Sequence, residues 1–385
     1  MKIPAHLYIH VPFCRAKCRY CGFHSSPRSD AGVRRWLDGL AREFDWYFGL
    51  GVHRLKSVYV GGGTPSILES RELAVLCGLI TAHLGTPDAA PGRPEWTVEV
   101  NPDSLDAERA ALLRSAGVTR VSLGAQSFDA AALRWLGRPY APAAIPAAVG
   151  LLRDAGFTDL GLDLIAGAPR EELAWENELR AAAALNPRHL SVYILSIEDG
   201  TPLARDAANG QFTPLASEAE AAILDQTEDV LAALGFAQYE ISNYAAPGHA
   251  CRHNLNTWRG GDYLGLGPSA ASRVGRRRWT NPADLDAWYH GVSTQTPPSG
   301  SEELTSGDDQ IERLLFQTRL NEGVGCDFTV PGYAAIDPDV AAFWQGRFIA
   351  LAAQGLAELA AARWRLTRAG RRRADSIAES LLPEI

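Results

Sequence analysis

The chain has 385 residues, of which 46% are hydrophobic and 21% are charged, and its formal net charge is −8. This length suits one large α/β domain plus a smaller one, and the composition is that of a folded globular protein rather than a disordered one. The acidic balance argues against a general nucleic-acid binder. Two basic clusters, Arg276–Arg278 and Arg371–Arg373, are interpreted as solvated surface.

Strand and helix patterns alternate through the first half of the chain. Strands are expected at HLYIHV around Ile9 and at residues 55–60, 96–100, 120–123, 160–165 and 190–195. Helices are expected from Trp36 to Tyr47 and at residues 69–84, 106–116, 145–155 and 171–185. Six βα units in series predict a parallel sheet, either a partial barrel or a doubly wound sheet. Both architectures bind ligands at the carboxyl ends of their strands.

A second, smaller unit is expected at the end of the chain. After a helical stretch over residues 217–234, the pattern becomes irregular through HNLNTW and GGDYLGLGPSAAS and loosens near Pro298. We predict a core domain over residues 1–235, an irregular connecting region over 236–300 and a C-terminal domain over 301–385. Helical patterns and the strand-like RWRLT make this last domain α+β and winged-helix-like. The acidic balance favours a protein-contact lid over a nucleic-acid reader.

The longest apolar runs stop far short of the roughly 20 residues that a membrane-spanning helix needs, and the first residues lack a secretory signal pattern. We expect a cytoplasmic protein with no membrane span and no nucleic-acid partner, and leave peripheral membrane association open. Three of the six cysteines fall within eight residues, which indicates a ligand cluster rather than a disulfide framework.

The cysteine cluster has the spacing C-x3-C-x2-C, formed by Cys14, Cys18 and Cys21 on a loop after the first strand. Structural zinc normally takes four ligands in two pairs, so His24 as a fourth ligand keeps a zinc site open. Three thiolates on a [4Fe-4S] cubane leave one iron without a protein ligand, and a small molecule with amino and carboxylate groups can chelate that iron. We favour a cluster with an open iron over zinc or simple electron relay.

The segment YIHVPFCRAKCRYC resembles the opening of the radical SAM group that comprises the oxygen-independent coproporphyrinogen oxidases and the HemW-type heme chaperones. GGGTP at Gly61–Pro65, EVNP at Glu99–Pro102, GAQSF at Gly124–Phe128 and DLIAGAP at Asp163–Pro169 recur in the same order as in that group. The resemblance covers most of the first half of the chain and implies a partial (β/α)6 TIM-like radical SAM barrel. It also implies that the cluster binds S-adenosylmethionine and can split its sulfonium reductively.

The resemblance assigns further side chains to S-adenosylmethionine. Glycine backbone can approach a ligand closely, carboxylates accept from hydroxyl or amino groups, and arginine pairs with a carboxylate. The residues concerned are Tyr8, Gly62, Gly63, Thr64, Glu99, Gln126, Arg138 and Asp163. Each also has a structural alternative, such as a tight turn at the glycines, a core aromatic at Tyr8 or a surface arginine at Arg138.

Downstream, His253-Asn-Leu-Asn-Thr-Trp258 is similar to the HNxxYW motif of the heme chaperones, with Thr257 in place of tyrosine. Imidazole can ligate heme iron and tryptophan can cover a porphyrin face, so the resemblance implies that His253 and Trp258 bind heme. The alternative is that both merely stabilise an irregular connection.

The residues that follow Cys21 distinguish the oxidase branch of this group from the heme chaperones. The oxidase branch typically continues C-x3-C-x2-C-x-C, whereas Gly22 and Phe23 follow Cys21 here. We therefore favour a heme chaperone that passes heme as cargo to an acceptor hemoprotein and receives electrons from a donor such as a flavodoxin or ferredoxin. An oxygen-independent coproporphyrinogen III oxidase, or another radical SAM enzyme, is the alternative.

Overall fold

A computed structural model of the chain describes residues 3–49, 53–84, 93–171 and 173–382. The strands in these ranges are β1 (His6–Val11), β2 (Phe13–Cys14), β3 (Ser26–Pro27), β4 (Ser57–Gly62), β5 (Glu95–Val100), β6 (Arg120–Gln126), β7 (Asp159–Ala166), β8 (His189–Ile194), β9 (Ala237–Glu240), β10 (Asn243–Ala245), β11 (Leu264–Leu266), β12 (Ala271–Val274), β13 (Arg277–Thr280), β14 (Glu302–Glu303), β15 (Val324–Gly325), β16 (Ala357–Ala360) and β17 (Arg363–Leu366).

The helices in the same ranges are α1 (Asp30–Phe48), α2 (Ser70–Leu84), α3 (Ala107–Ala116), α4 (Ala130–Leu136), α5 (Ala144–Asp154), α6 (Trp175–Ala184), α7 (Pro202–Ala208), α8 (Ser217–Ala233), α9 (Arg252–Trp258), α10 (Leu285–Thr294), α11 (Ser306–Gln317), α12 (Pro338–Ala353), α13 (Arg368–Arg371) and α14 (Ala374–Ser380). Among these described helices, none has the combination of length and hydropathy that crossing a membrane requires.

The main sheet is a six-stranded parallel arc with short strands added at its edges. Its order is β11-β1-β4-β5-β6-β7-β8-β10-β9, and from β1 to β8 neighbouring strands are parallel and follow one another in the chain. A doubly wound sheet reverses its strand order at a switch point, whereas this order does not reverse. The partial (β/α)6 barrel is therefore confirmed. β11 joins β1 in parallel, and β10 joins β8 antiparallel, so both edges are covered.

Helix α1 shows how the sequence pattern produces this architecture. It begins after Ser29, whose hydroxyl oxygen accepts a hydrogen bond from the Gly32 backbone N–H at 3.1 Å. Trp36, Leu40 and Phe44 recur at helical spacing and are all buried in the same hydrophobic core as the sheet strands. The amphipathic helix expected in this region is confirmed.

The stretch that we expected to be irregular contains regular elements. HNLNTW lies within α9, and the following segment supplies β11, which extends the main sheet beside β1. Both elements are short, seven and three residues respectively, so neither shows a clear hydrophobic period in the sequence. Their structure depends on contacts with the barrel, which a local pattern does not reveal.

The C-terminal unit has a hydrophobic core of its own, built around Trp344, Phe348 and Trp364. A hairpin joins β16 to β17 through two residues with positive φ, Ala361 at 49° and Ala362 at 59°, as a type I′ turn requires. β15 completes a three-stranded sheet against which α12 packs. The smaller α+β unit that we expected is thereby confirmed, while the domain boundaries stay predictions.

One basic cluster lies where this unit meets the barrel. Arg371 Nη2 lies 2.6 Å from Glu228 Oε1, and Arg372 Nη2 lies 3.0 Å from both Asp225 Oδ1 and Glu228 Oε2 on α8. The side chain of Arg372 is 8% exposed. The interpretation of this cluster as solvated surface is therefore wrong for Arg371 and Arg372, because the acidic face of α8 pairs with them. Arg278, in the other cluster, remains 44% exposed.

Candidate functional site

Three cysteine side chains open onto one cavity of about 560 Å3 at the carboxyl ends of the parallel strands. Cys14, Cys18 and Cys21 are half-buried free thiols. The loop that carries them is closed at its base, where β2 pairs with β3. The Arg19 backbone N–H donates to the Leu136 carbonyl oxygen at 3.3 Å, which ties the loop to the end of α4. The loop therefore presents all three predicted thiols to the same space.

The donor set of the loop fits an iron–sulfur cubane. Each cysteine binds a different iron of a cubane, so three thiols need not converge on one point. Among the described residues, no group of three or more histidine, cysteine or acidic side chains converges to hold a single metal ion. Burial raises the pKa of the Cys18 and Cys21 thiols. Metal binding opposes this shift, because a thiol that ligates a metal is deprotonated.

Two carboxylates line the cavity, one on β5 and one on β7, which lie on either side of β6. Glu99 on β5 accepts hydrogen bonds from Tyr59 Oη at 2.8 Å and from the Gly62 backbone N–H at 3.1 Å. Asp163 on β7 accepts from Ser122 Oγ at 3.0 Å. Burial, followed by the charge of Asp163, raises the pKa of Glu99 to about 7, and burial also raises the pKa of Asp163. Two such carboxylates can accept from ribose hydroxyls or an ammonium group.

A guanidinium and an amide lie in the same cavity. Arg138 lines it, and within the described residues its buried Nε has no hydrogen-bond partner. Gln126 lies at a bulge between β6 and β7 and has a positive φ of 62°, a backbone conformation that only a few per cent of non-glycine residues adopt. A Cβ atom on Gly124 would lie 2.7 Å from Gln126 Nε2, so glycine leaves the room that this amide occupies.

The GGGTP segment brings backbone to the wall of the cavity. Gly62 has a φ of 103°, which favours glycine, and a Cβ atom on Gly63 would lie 2.5 Å from the Phe13 carbonyl oxygen. Thr64 Oγ1 lies 3.6 Å from Cys14 Sγ and accepts from Asn101 Nδ2 at 3.0 Å. The two glycines and Thr64 therefore connect the cysteine loop to the EVNP segment.

The chemistry of this wall matches the groups of S-adenosylmethionine. Carboxylates at Glu99 and Asp163 suit hydroxyl and amino groups, and the incompletely bonded guanidinium of Arg138 suits a carboxylate. Seven of the eight residues expected to contact this molecule line the cavity, namely Gly62, Gly63, Thr64, Glu99, Gln126, Arg138 and Asp163. The eighth, Tyr8, does not.

Tyr8 belongs to a layer of aromatic and imidazole side chains inside the barrel. Its hydroxyl donates to His10 Nδ1 at 3.0 Å, and its ring centroid lies 6.3 Å from that of Tyr59. Tyr59 in turn holds the carboxylate of Glu99. Tyr8 is therefore separated from the cavity by the residues that shape the wall, and its expected contact with S-adenosylmethionine stays a prediction.

His253 lies in this interior layer too. Ser57 Oγ is 2.9 Å from His253 Nδ1 and 2.7 Å from His6 Nδ1, so the hydroxyl donates to one ring and accepts from the other. Burial, and then the charge of His6, lowers the pKa of His253 to about 3, and its side chain is only 7% exposed. The structure therefore places this imidazole, in its neutral form, away from the surface.

Trp258, at the end of α9, faces the C-terminal unit instead. Its ring centroid lies 6.1 Å from that of Phe316 in an edge-on arrangement, and the Arg319 guanidinium lies 4.7 Å from it. His253 and Trp258 are thus in different environments, and the structure does not bring them into the cavity that holds the thiols. Their expected role in heme binding stays a prediction.

Several polar residues that line the cavity were not predicted from the sequence, among them Tyr59, Asn101 and Tyr193. Asn101 belongs to the EVNP segment, two positions after Glu99, so this motif could have predicted it as a cavity residue. Tyr59 lies in the middle of β4, whereas Tyr193 lies next to the last residue of β8, and the sequence offers a positional signal only for Tyr193. Functional residues of such barrels lie at the carboxyl ends of the strands, so the position of Tyr193 could have marked it as a candidate site residue.

Comparison with known proteins identifies the family and the fold of the chain. Residues 8–182 match the Radical SAM superfamily. The heme chaperone HemW of Mycobacterium tuberculosis (strain CDC 1551 / Oshkosh) is 36% identical over 98% of this chain and 95% of its own length. The heme chaperone HemW of Escherichia coli (strain K12) is 38% identical over 70% of each chain.

Among solved structures, the coproporphyrinogen III oxidase (HemN) from Escherichia coli, a radical SAM enzyme, superposes with a TM-score of 0.80. The match covers 98% of this chain and 90% of that one at 24% identity, which shows a shared fold. Because these HemW relatives are 36% and 38% identical over 98% and 70% of the chain, the protein belongs to the heme chaperone HemW family of radical SAM proteins.

Proposed function

We propose that this protein is a heme chaperone, which binds heme and passes it to an acceptor hemoprotein with the help of a [4Fe-4S] cluster and S-adenosylmethionine. The observation that carries the proposal is the cavity in which three free thiols share one wall with Glu99 and Arg138. The HemW relatives named as heme chaperones support the choice of cargo.

In this proposal Cys14, Cys18 and Cys21 hold the cluster. When bound, the cluster supplies an electron to the sulfonium of S-adenosylmethionine. Glu99 accepts hydrogen bonds and Arg138 neutralises the methionyl carboxylate, while the cysteine loop reduces access of water to the cavity. Gln126, Asp163 and the backbone of Gly62, Gly63 and Thr64 complete the contacts, with Tyr8 behind them.

This function requires an electron donor and an acceptor for heme. We propose that a reduced carrier such as a flavodoxin or ferredoxin donates electrons, and that heme transfer takes place on the cytoplasmic side, with peripheral membrane association where the acceptor is itself membrane-bound. His253 and Trp258 are the heme contacts that the HNLNTW motif suggests. Phe23, which stands where the oxidase branch has a fourth cysteine, favours the chaperone over coproporphyrinogen oxidation.

The test compares heme binding with decarboxylation in one anaerobically reconstituted preparation. We expect hemin to bind stoichiometrically, and coproporphyrinogen III incubated with reductant and S-adenosylmethionine to keep all its carboxyl groups by mass analysis. Loss of two carboxyl groups that depends on Cys18 would make the protein an oxidase. Failure to bind hemin, in a sample that contains its cluster, would remove the chaperone proposal.

Transfer is measured separately with apomyoglobin as a probe acceptor. Heme should move to apomyoglobin faster from the protein with cluster and S-adenosylmethionine than from the Cys18→Ala variant loaded with the same amount of hemin. Equal transfer rates would show that the cofactors do not serve heme release.

A further inference from the structure

Thr64 stands directly before a short helical turn but does not cap it. The segment Pro65–Ile67 forms a single 3-10 turn, and Thr64 precedes it in an extended conformation. A threonine in this position commonly accepts a hydrogen bond from a backbone N–H of the first turn, because these N–H groups lack helical partners. The Thr64 side chain makes no such bond. Its hydroxyl group is therefore available to another partner.

The partner is the first cysteine of the loop. Thr64 Oγ1 lies 3.6 Å from Cys14 Sγ, which is within hydrogen-bonding range for sulfur. Backbone hydrogen bonds fix this approach. The Thr64 N–H donates to the Phe13 carbonyl oxygen at 2.8 Å, and the Gly63 N–H donates to the Val11 carbonyl oxygen at 2.8 Å. Thr64 is thereby held against the residue that precedes Cys14 in the chain.

Asn101 occupies one acceptor position of the Thr64 hydroxyl. Its Nδ2 donates to Thr64 Oγ1 at 3.0 Å, and its own backbone N–H donates to Ser66 Oγ at 3.1 Å. A hydroxyl group has one proton to donate and two acceptor positions. Because the amide of Asn101 supplies a proton to the oxygen, the proton of Thr64 stays free to donate. Among the described residues, the hydrogen-bond partner left for it is Cys14 Sγ.

Binding of a cluster decides the direction of the contact between Thr64 and Cys14. While Cys14 is a free thiol, either atom can be the donor. A thiol that ligates a metal is deprotonated, so it can only accept a hydrogen bond. In the protein with its cluster, the Thr64 hydroxyl is therefore the donor and the Cys14 thiolate is the acceptor.

A hydrogen bond to a ligand of the cluster changes its reduction potential. The potential of an iron–sulfur cluster depends on hydrogen bonds to its sulfur atoms and on solvent exposure. Reduction by one electron adds negative charge to the cluster and its thiolates, so a donated proton stabilises the reduced form more than the oxidised form. Thr64 is only 6% exposed, and such burial strengthens the electrostatic effect of a hydrogen bond. The expected result is a higher potential.

We propose that the Thr64 hydroxyl, oriented by Asn101, hydrogen-bonds the Cys14 thiolate and raises the reduction potential of the cluster. Asn101 is a positioning residue, since it acts through Thr64. This inference rests on the proposed function, which assigns the cluster to the three loop cysteines and uses only the backbone of Thr64. It adds the side chains that set how readily the cluster accepts an electron from the reduced carrier.

The experiment is a potentiometric titration of the full-length, anaerobically reconstituted protein with dithionite, without S-adenosylmethionine, followed by electron paramagnetic resonance. Thr64→Val replaces the hydroxyl group by a methyl group of similar size. We expect it to shift the reduction equilibrium roughly three- to tenfold toward the oxidised form, a fall of about 28–59 mV for a one-electron couple. Thr64→Ser keeps a hydroxyl group and should restore most of the wild-type potential.

A second substitution tests the positioning role. Asn101→Ala should lower the potential less than Thr64→Val does, because the hydroxyl group remains but is no longer oriented. Combined with Thr64→Val it should cause no further fall, since Asn101 acts through a hydroxyl group that is then absent. Ser104→Ala is the matched control. The Ser104 hydroxyl lines the same cavity but lies 2.6 Å from Ser66 Oγ, so its loss should leave the potential unchanged.

Iron and sulfide content shows which variants retain the cluster. A wild-type potential in Thr64→Val would overturn the inference and leave the proposed function standing. If Thr64→Val does not retain its cluster, a wild-type potential in Asn101→Ala has the same meaning. An equal fall caused by Asn101→Ala with and without the Thr64 hydroxyl would refute the positioning role. Absence of a cluster from the wild-type protein would instead contradict the proposed function.

Discussion

Charged side chains are arranged in opposite ways in the cavity and at the junction between α8 and the C-terminal unit. At the junction, Arg371 and Arg372 lie within 3.0 Å of carboxylate oxygens of Asp225 and Glu228. In the cavity, burial raises the pKa of both Glu99 and Asp163, the charge of Asp163 raises that of Glu99 further, and Arg138 retains a buried nitrogen without a partner among the described residues.

This difference separates charges that hold the fold from charges that are available to a ligand. The hydrogen bond from Arg368 lowers the pKa of Asp229 at the junction, whereas burial raises the pKa of Glu99 to about 7 in the cavity. A charged group that pairs with an opposite charge is stabilised in its ionised form. A group that is incompletely paired can instead form such an interaction with a bound molecule. Four substitutions test this comparison.

Replacing one of the loop cysteines should have the largest effect. Cys18→Ala removes one of three thiolates, and a cubane that loses a protein ligand is not retained. We expect iron and sulfide content, and the visible absorption of the reconstituted protein, to be lost. Cys326→Ala is the control, because this half-buried thiol lies outside the cavity and its loss should leave the iron content unchanged. Full iron content in Cys18→Ala would contradict the assignment.

Arg138→Ala should weaken binding of S-adenosylmethionine. Hydrogen bonds to charged groups contribute about 1.5–3 kcal/mol, which corresponds to roughly a ten- to hundredfold rise in Kd. Calorimetric titration of samples with equal iron content measures it, and Arg276→Ala, an exposed arginine paired with Glu303, should leave Kd unchanged. Wild-type affinity in Arg138→Ala would show that the unpaired nitrogen serves no ligand.

Glu99→Gln should change how stability depends on pH in the cluster-free protein. The folded-state pKa of Glu99 is raised to about 7 from a reference of 4.5, so the native state holds a proton that the unfolded state releases between these values. Stability contributed by this group therefore falls as pH rises from about 4.5 to about 7. Glutamine cannot ionise and avoids the loss.

We expect the free energy of unfolding of Glu99→Gln, relative to wild type, to rise by about 1–3 kcal/mol between pH 5 and pH 8. Urea unfolding at the two pH values measures it. Because Glu43 also has a pKa raised to about 7 by burial, only the difference between variant and wild type isolates Glu99. An equal difference at both pH values would refute the raised pKa.

The smallest effect is expected at the junction. Arg372→Ala leaves Asp225 and Glu228 with one fewer partner and should lower the free energy of unfolding by about 1–2 kcal/mol. The exposed pair of Arg276 and Glu303 provides the control, and Arg276→Ala should cost less than about 0.5 kcal/mol. If urea unfolding gave the same loss of free energy for Arg372→Ala and Arg276→Ala, burial at the junction would not strengthen the ion pairs.

Much of the fold could be predicted because the barrel repeats one simple pattern. HLYIHV forms β1 over the residues expected, and the helix expected over 217–234 is α8, Ser217–Ala233. Hydrophobic periodicity finds such long elements, since one face of each must be buried. It does not find α9 or β11, because seven and three residues are too few to show a period.

The site was predicted in part. The ordered motifs placed the three thiols and Glu99 together, since the carboxyl ends of parallel strands meet at one rim, and the family resemblance added Arg138. The HNLNTW motif suggested that His253 and Trp258 act as a pair, yet His253 packs inside the barrel and Trp258 packs on Phe316. A motif shows only that two residues are close in sequence. On a helix such as α9 their side chains can point in different directions.

By itself the sequence determined the βα alternation, the three-thiol loop and the family to which the chain belongs, because periodicity and ordered motifs are local properties of the chain. Only the tertiary structure decided which charges pair. Arg371 and Arg372 meet α8 across more than 140 positions of the chain, and Arg138, which lines the cavity, keeps a buried nitrogen that no other described residue binds. Pairing depends on distance in space and on burial, and neither quantity can be read from residue order.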